Sequence, residues 1–141
     1  MKEISQIMKG SLTEIRCITA FMENNIEISI PYGNHARYDF IADVNGKLIK
    51  VQVKTPSKVS EESISIECRT THTISKKVVH HTYTESEVDY FATYYKNKCY
   101  LVPISECSTQ KTLRFIPPKN GQIKGITFAK DYELEEALKT I

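Results

Sequence analysis

Hydrophobic residues near the start of the chain recur at steps of three and four: Ile4, Ile7, Met8, Leu12, Ile15, Ile18 and Met22. This is the stripe of an amphipathic helix. It predicts one helix over residues 2–24, from Lys2 to a stop at Asn24-Asn25, with a length of roughly 30 Å. Ser11-Leu12-Thr13-Glu14 has the form of a capping box and offers a second start at Gly10-Ser11. The stripe crosses Gly10 without a change of phase, which favours a single helix.

From Ile26 the period becomes two. Ile26, Ile28 and Ile30 alternate with Glu27 and Ser29, which reads as a strand, and Pro31-Tyr32-Gly33-Asn34 is a turn signal. Residues 38–44 and 47–55 read as two strands joined by Asn45-Gly46, the strongest short hairpin signal. Residues 63–68 alternate again and are expected to extend the same sheet.

Residues 69–84 are polar and rich in threonine, and are expected to form a long irregular loop of the kind that is often functional. Thr84-Glu85-Ser86-Glu87 is a second capping box ahead of Val88, Phe91 and Ala92, and predicts a short helix. Residues 99–104 and 112–116 read as late strands, the latter stopped by Pro117-Pro118, and residues 132–138 as a closing helix. No repeat or domain boundary interrupts the pattern. The expectation is a single α/β domain over residues 1–141, with a mixed central sheet and the first helix on its apolar face.

With Asn45-Gly46 as a two-residue loop, paired residues have numbers that sum to 91. Asp39 then faces Gln52, and Arg37 faces Lys54. Side chains alternate between faces. One face carries Tyr38, Phe40, Ala42, Val44, Ile49, Val51 and Val53, an almost wholly apolar set; the other carries Arg37, Asp39, Ile41, Asp43, Lys50, Gln52 and Lys54. Direct partners lie ~5 Å apart and diagonal neighbours ~7–8 Å, so Asp39, Gln52 and Lys54 can converge on one ion and one phosphate.

Composition narrows the setting. With 40% hydrophobic and 26% charged residues the chain is globular rather than disordered, and no apolar run reaches the ~18 residues of a membrane span. Met1-Lys2-Glu3 opens no signal peptide, so a cytoplasmic location and no membrane partner are expected. Cys17, Cys68, Cys99 and Cys107 form no C-x-x-C pair and read as reduced thiols. The net charge is only +2, so a nucleic-acid partner has to be argued from local clusters.

The hairpin residues suit phosphodiester hydrolysis. A hard cation such as Mg²⁺ takes oxygen ligands completed by water and substrate phosphate. Asp39 supplies a charged oxygen, Gln52 a neutral amide oxygen, and the Val53 carbonyl another. The ion polarises the phosphate and lowers the pKa of a bound water. Lys54 orients that water or stabilises the charge that builds on the phosphate.

Arg-Tyr-Asp39-Phe-Ile-Ala-Asp, a tight turn and Val51-Gln52-Val53-Lys54 together resemble the PD-(D/E)XK nuclease superfamily. Its motif is an acidic residue followed 10 to 30 residues later by (D/E)-x-K on the next strand. Asp39 takes the first position, Gln52 the (D/E) position and Lys54 the lysine, while Glu14 matches the additional helix carboxylate of many members. The likeness is closest to the branch containing the homing endonucleases of bacterial group I introns, where glutamine in the (D/E) position is familiar. It extends from about Lys9 through 83–91 and 100–103.

The resemblance implies a restriction-endonuclease-like core and a Mg²⁺-dependent enzyme, with Mn²⁺ as a substitute. It also implies cleavage of double-stranded DNA by a homodimer or homotetramer. Glu14, Asp39, Gln52 and Val53 are the expected metal site, and Asp39, Gln52, Lys54 and Glu14 the catalytic set. Two departures stand out. Tyr38 replaces the motif's proline, and the neutral Gln52 equally marks a relative that binds DNA without cutting it. A structure-selective nuclease or junction resolvase is the rival within enzymes.

The remaining candidates are weaker. Glu14 can also serve only as a capping residue, and Asp43 sits beside the turn, where aspartate usually supports the hairpin. Arg37 can grip a phosphate through its guanidinium fork or form an ion pair. Lys50, Lys58, Arg69, Lys76 and Lys77 are candidate phosphate contacts. His80 and His81 are adjacent on the chain and poorly placed as a metal pair. Tyr90, Tyr94, Tyr95 and Tyr100 read as core or interface aromatics.

Overall fold

The computed structural model describes residues 3–141, apart from the side chain of His72; the expected helix start at Lys2 lies outside them. One helix, α1 (Gln6–Glu23), opens the chain. It is capped by Ser5, whose Oγ accepts the Met8 N–H at 3.2 Å; Ser11 starts no second helix. Beyond the Asn24 cap, Asn25 turns left-handed at φ 60° and ends the helix. The buried face is Thr13, Cys17 and Phe21, not the isoleucine-rich stripe: Ile4, Ile7, Met8, Ile15 and Met22 are exposed. The stripe is real, but the sheet takes the opposite side of the helix. There the ring of Phe21 meets Phe40 edge to face at 5.2 Å.

The central sheet has five strands in the order β1 (Glu27–Ser29), β2 (Phe40–Val44), β3 (Lys47–Val53), β8 (Tyr90–Tyr95) and β9 (Lys98–Pro103). All neighbours are antiparallel except β3 and β8, which makes the sheet mixed. Every β2–β3 pair sums to 91, from Val44↔Lys47 to Phe40↔Val51, and the turn takes Asn45 and Gly46 to φ 53° and 89°, as a primed two-residue hairpin requires. Phe40, Ala42, Val44, Ile49 and Val51 are buried together with Cys17 and Phe21 of α1. The expected apolar face is therefore the face that packs.

Four elements depart from the sequence reading. The strand at 63–68 does not extend the central sheet. As β5 (Ser63–Glu67) it pairs with β4 (Lys58–Val59) and β10 (Gln110–Arg114) in a separate sheet. Residues 69–84 are no irregular loop: β6 (Arg69–Ile74) and β7 (Lys77–Thr82) form an antiparallel ribbon closed by Ser75-Lys76, both left-handed. Only half of the Thr84 capping box forms, with Glu87 Oε1 accepting the Thr84 N–H at 2.9 Å and the Thr84 hydroxyl at 3.0 Å, and one turn follows before the chain enters β8. The closing helix α2 is shorter than expected (Leu134–Leu138) and follows a 3-10 turn over Ala129–Tyr132.

The β8 error has a physical cause. Ala92 and Leu101 pack toward α1 and α2, while Phe91, Tyr100 and Val102 pack toward β5 and β10. A strand covered on both faces loses polar alternation, so its pattern cannot be told from that of a helix. The tyrosines behave as structural aromatics; Tyr100 is buried and Tyr95 stacks on Phe115 at 5.8 Å. All four cysteines are free thiols. Among the described residues no helix is long and apolar enough to cross a membrane.

Replacing Phe21 by alanine is expected to cost ~3–5 kcal/mol, the usual range for deleting a buried ring, whereas Val78→Ser on the exposed ribbon should stay within about 0.5 kcal/mol. Urea denaturation of the two variants checks both.

Candidate active site at the end of the first hairpin

The β2–β3 ladder stops at Phe40↔Val51, two residue pairs short of the strand expected to begin at Tyr38. The register would give the Val53 N–H to the Tyr38 carbonyl. It bonds instead to the Asp39 carboxylate, Oδ2, at 2.7 Å, while the Asp39 N–H donates to the Val51 carbonyl at 2.8 Å. A side chain thus replaces a backbone rung, and it fixes the carboxylate beside Gln52, Val53 and Lys54. On its other edge β3 is held by β8, where the Lys54 N–H reaches the Ala92 carbonyl at 2.8 Å.

Gln52 lies beside Asp39 although the ladder ends before them, and its amide has two orientations. With nitrogen toward the aspartate it donates to Asp39 Oδ2 at 3.3 Å and to the Arg37 carbonyl at 2.7 Å, the arrangement that hydrogen bonding favours. Turned over, the nitrogen reaches only the Val53 carbonyl, at 3.5 Å, and the amide oxygen faces the Asp39 and Arg37 oxygens. Oxygens gathered this way repel one another unless a cation lies among them. The donor set of Asp39, Gln52, the Val53 carbonyl and Glu14 consists of oxygens, which is the chemistry of a hard cation. Among the described residues no three His, Cys, Asp or Glu side chains form a metal cluster, so such an ion needs Gln52 and a backbone carbonyl as well as the carboxylates.

Glu14 comes to the site from α1. Thr13, its neighbour, touches Thr55 Oγ1 at 3.2 Å just past β3, which ties this turn of the helix to the strand end. Burial, and then the charge of Asp39, raise the Glu14 pKa above the ordinary carboxylate value. Burial also raises Asp39, partly offset by the Val53 N–H and the charge of Lys54. Two carboxylates are held near each other in partial burial, where a positive charge would relieve both.

Lys54 Nζ donates to the Arg69 carbonyl at 3.3 Å and lies 4.9 Å from the centre of the Tyr83 ring. Arg37 does not sit across a rung from it; its guanidinium lies over the same ring at 4.1 Å, with Glu87 at 3.3 Å and Thr70 at 3.1 Å as partners. Arg37 thus forms an ion pair with Glu87 in the structure. Tyr83 is the residue the sequence reading missed as a site component. Burial pushes its phenol up, but the hydrogen bonds from Thr70, Lys54 and Arg37 and the Lys54 charge outweigh this and hold it below the usual tyrosine value. No local signal marks it, because the ribbon brings it back to the hairpin from thirty residues away.

Other candidates fall outside this cluster. Lys50 is tied to the 84–89 turn through the Ser86 carbonyl, and its N–H reaches Asp89 at 2.8 Å. Asp43 accepts the Gly46 N–H at 2.8 Å and supports the turn. Lys58 is exposed on β4; Lys76 and Lys77 are exposed at the ribbon turn. Arg69 pairs with Glu67 at 2.8 Å. His80 bonds Thr71 at 2.9 Å.

A carboxylate whose pKa is raised by folding destabilises the fold once ionised. The penalty is absent below its unfolded pKa, near 4, and complete above its folded pKa. Glu14→Gln should therefore be more stable than the parent at pH 7–8, and the gain should shrink as pH falls toward about 4. Chemical denaturation of both proteins across pH 4–8 checks this; a difference that grows on acidification contradicts the assignment.

A bacterial homing endonuclease structure, I-Ssp6803I, superposes with a TM-score of 0.76 at 22% identity, covering 96% of this chain and 93% of that one. At that identity the likeness shows a shared fold. No curated protein matches the chain. The family model for the PD-(D/E)XK endonucleases matches residues 4–135. With nearly the whole chain covered, the protein belongs to the PD-(D/E)XK endonuclease family.

Proposed function

We propose that the chain is a Mg²⁺-dependent endonuclease that hydrolyses double-stranded DNA at specific sites, in the manner of a homing enzyme. The observation that carries this reading is the Asp39 carboxylate fixed by the Val53 N–H at 2.7 Å, beside Gln52 and the Lys54 ammonium. Asp39, Gln52 through its amide oxygen, the Val53 carbonyl and Glu14 would hold the cation. When bound, it supplies a Lewis acid for the phosphate and a lower pKa for the attacking water. Mn²⁺ should substitute, since it accepts the same oxygen donors.

The chain's own residues do the rest. Lys54, steadied by the Arg69 carbonyl and the Tyr83 ring, offers a positive charge to the pentavalent phosphate. Arg37, braced by Glu87 and Thr70, orders the same ring from its other contact. Arg69, Lys76 and Lys77 on the ribbon, with Arg37, Lys50 and Lys58, are the proposed phosphate contacts. A two-stranded ribbon fits the major groove of B-DNA. Cutting both strands calls for at least two copies related by a two-fold axis, a homodimer or homotetramer.

The amide of Gln52 favours a second reading. Its donation to Asp39 satisfies the aspartate without any ion, so a DNA-binding module that does not cleave is the rival.

Nicking of supercoiled plasmid by purified protein in Mg²⁺, Mn²⁺ or EDTA separates the two readings. Parent protein should cleave with either ion and not with EDTA, and Asp39→Ala and Lys54→Ala should lose roughly 10²–10³-fold in rate. Gln52→Glu should hold or raise Mg²⁺ affinity. Salt-sensitive DNA binding with no cleavage under any divalent ion would sustain the non-catalytic reading, and cleavage confined to branched DNA would point to a resolvase.

A further inference from the structure

Two of the thiols meet outside the core that holds α1 against the sheet. Cys68 lies between the last residue of β5 and the first of β6, at the joint between the second sheet and the ribbon. Its N–H donates to the Thr109 carbonyl at 2.9 Å, which carries the β5–β10 pairing one residue beyond Glu67↔Gln110. Cys107 ends the 3-10 turn Ile104–Glu106 just before that pairing starts, and its N–H donates to the Ile104 carbonyl at 3.0 Å. Both side chains pack in one apolar cluster with Ile66 and Phe91, and each thiol is the leading influence on the ionisation of the other.

The pair also shares a way in. A cavity of about 210 Å³ lies against Cys68, Cys107, Tyr83, Phe91 and Ile104. Cys68 is only 2% exposed and Cys107 is half-buried, so a small reagent arrives through this cavity and not across open surface. Cys17 and Cys99 also neighbour each other, but Cys17 is wholly enclosed in the core under α1.

We infer that Cys68 and Cys107 form a reversible dithiol–disulfide site, oxidised by a hydroperoxide. The Cys68 thiolate attacks one oxygen of hydrogen peroxide and the O–O bond breaks. The departing hydroxide takes up the proton that Cys68 released and becomes water, leaving a sulfenic acid on Cys68. The Cys107 sulfur then attacks the Cys68 sulfur, the S–O bond breaks, and the hydroxyl leaves as water with the Cys107 proton. Two thiols are oxidised to one disulfide while peroxide is reduced to water. A dithiol reductant reverses the change by exchange.

Cys68 is the attacking sulfur because the thiolate is the nucleophile. The Cys107 thiol beside it holds Cys68 below the ordinary thiol value, helped by the charges of Lys54 and Lys111 and opposed by burial and Glu67. Cys68 and burial push Cys107 up, so it keeps its proton until the second step. A soft metal ion is the poorer occupant: it takes three or four protein ligands, and no three His, Cys, Asp or Glu side chains gather among the described residues.

The bond would tie the root of the ribbon to the segment that leads into β10. Arg69, the next residue, supports Lys54 through its carbonyl, and Tyr83, in the cavity wall, does so through its ring. The inference goes beyond the nuclease reading and does not rest on it.

Folded protein treated with hydrogen peroxide, without DNA or divalent ion, then unfolded in iodoacetamide and weighed by mass spectrometry, tests the site. The parent should lose two of its four thiols to one disulfide within the chain, and dithiothreitol should restore both. Cys107→Ser should form no disulfide and leave a sulfenic acid on Cys68 that dimedone traps. Cys99→Ser should close the bond like the parent, a needed control because Cys99 and Cys107 fall in one tryptic peptide. Circular dichroism checks that each variant folds, with Cys107→Ala in reserve. A parent that keeps four free thiols overturns the inference. So does irreversible oxidation with no disulfide, a disulfide that survives Cys107→Ser, or a link between two chains on a non-reducing gel. Because no cleavage is read, such a failure is distinct from failure of the nuclease reading.

Discussion

Where the β2–β3 ladder runs out, the Val53 N–H still needs a partner in a partly buried place, and an unmade bond there costs about 1–3 kcal/mol. The Asp39 carboxylate provides it at 2.7 Å. This one bond ends the hairpin, turns the aspartate inward, and sets its distance from Gln52 and from the carbonyl of Val53. Lys54 follows Val53 directly, and its own N–H is held by Ala92 of β8. The site is therefore attached to the sheet on both edges of β3, and its geometry follows from ladder bonding and not from loop packing.

The rest of the fold serves that strand end. On one face α1 brings Glu14 close enough for the Asp39 charge to act on it, while Phe21 and Cys17 anchor the helix in the core. From the other direction the β6–β7 ribbon returns Tyr83 and the Arg69 carbonyl to Lys54. Two carboxylates are kept above their ordinary pKa, an arrangement that costs stability and favours a cation. A site that stores this kind of electrostatic strain is more common in functional centres than in structural ones.

Gln52 stands where the proposed motif would have a carboxylate, and its amide has two hydrogen-bonding options there. An amide can turn over: one edge completes the hydrogen bonding of Asp39, the other presents an oxygen among oxygens. A glutamate at this position would have only the second property, and would add a third negative charge beside Asp39 and Glu14.

Much of the hairpin could be read from the sequence. Asn45-Gly46 demands a two-residue turn, strict alternation divides the faces, and together they place Asp39 beside Gln52. The motif spacing and the single helix before it were legible for the same reason: local patterns with short range determine them. Three things were not. Both central residues of the Ser75-Lys76 turn are left-handed without a glycine to announce it, so the ribbon looked like a loop. β8 is buried on both faces and shows no period. The apolar stripe of α1 is visible in the chain, but not which side the sheet will cover; that depends on Phe21 meeting Phe40 across nineteen residues, a contact that exists only once the sheet has formed. Tyr83 joins the site for the same reason, because pairing of β6 with β7, and not any neighbour in sequence, carries it there.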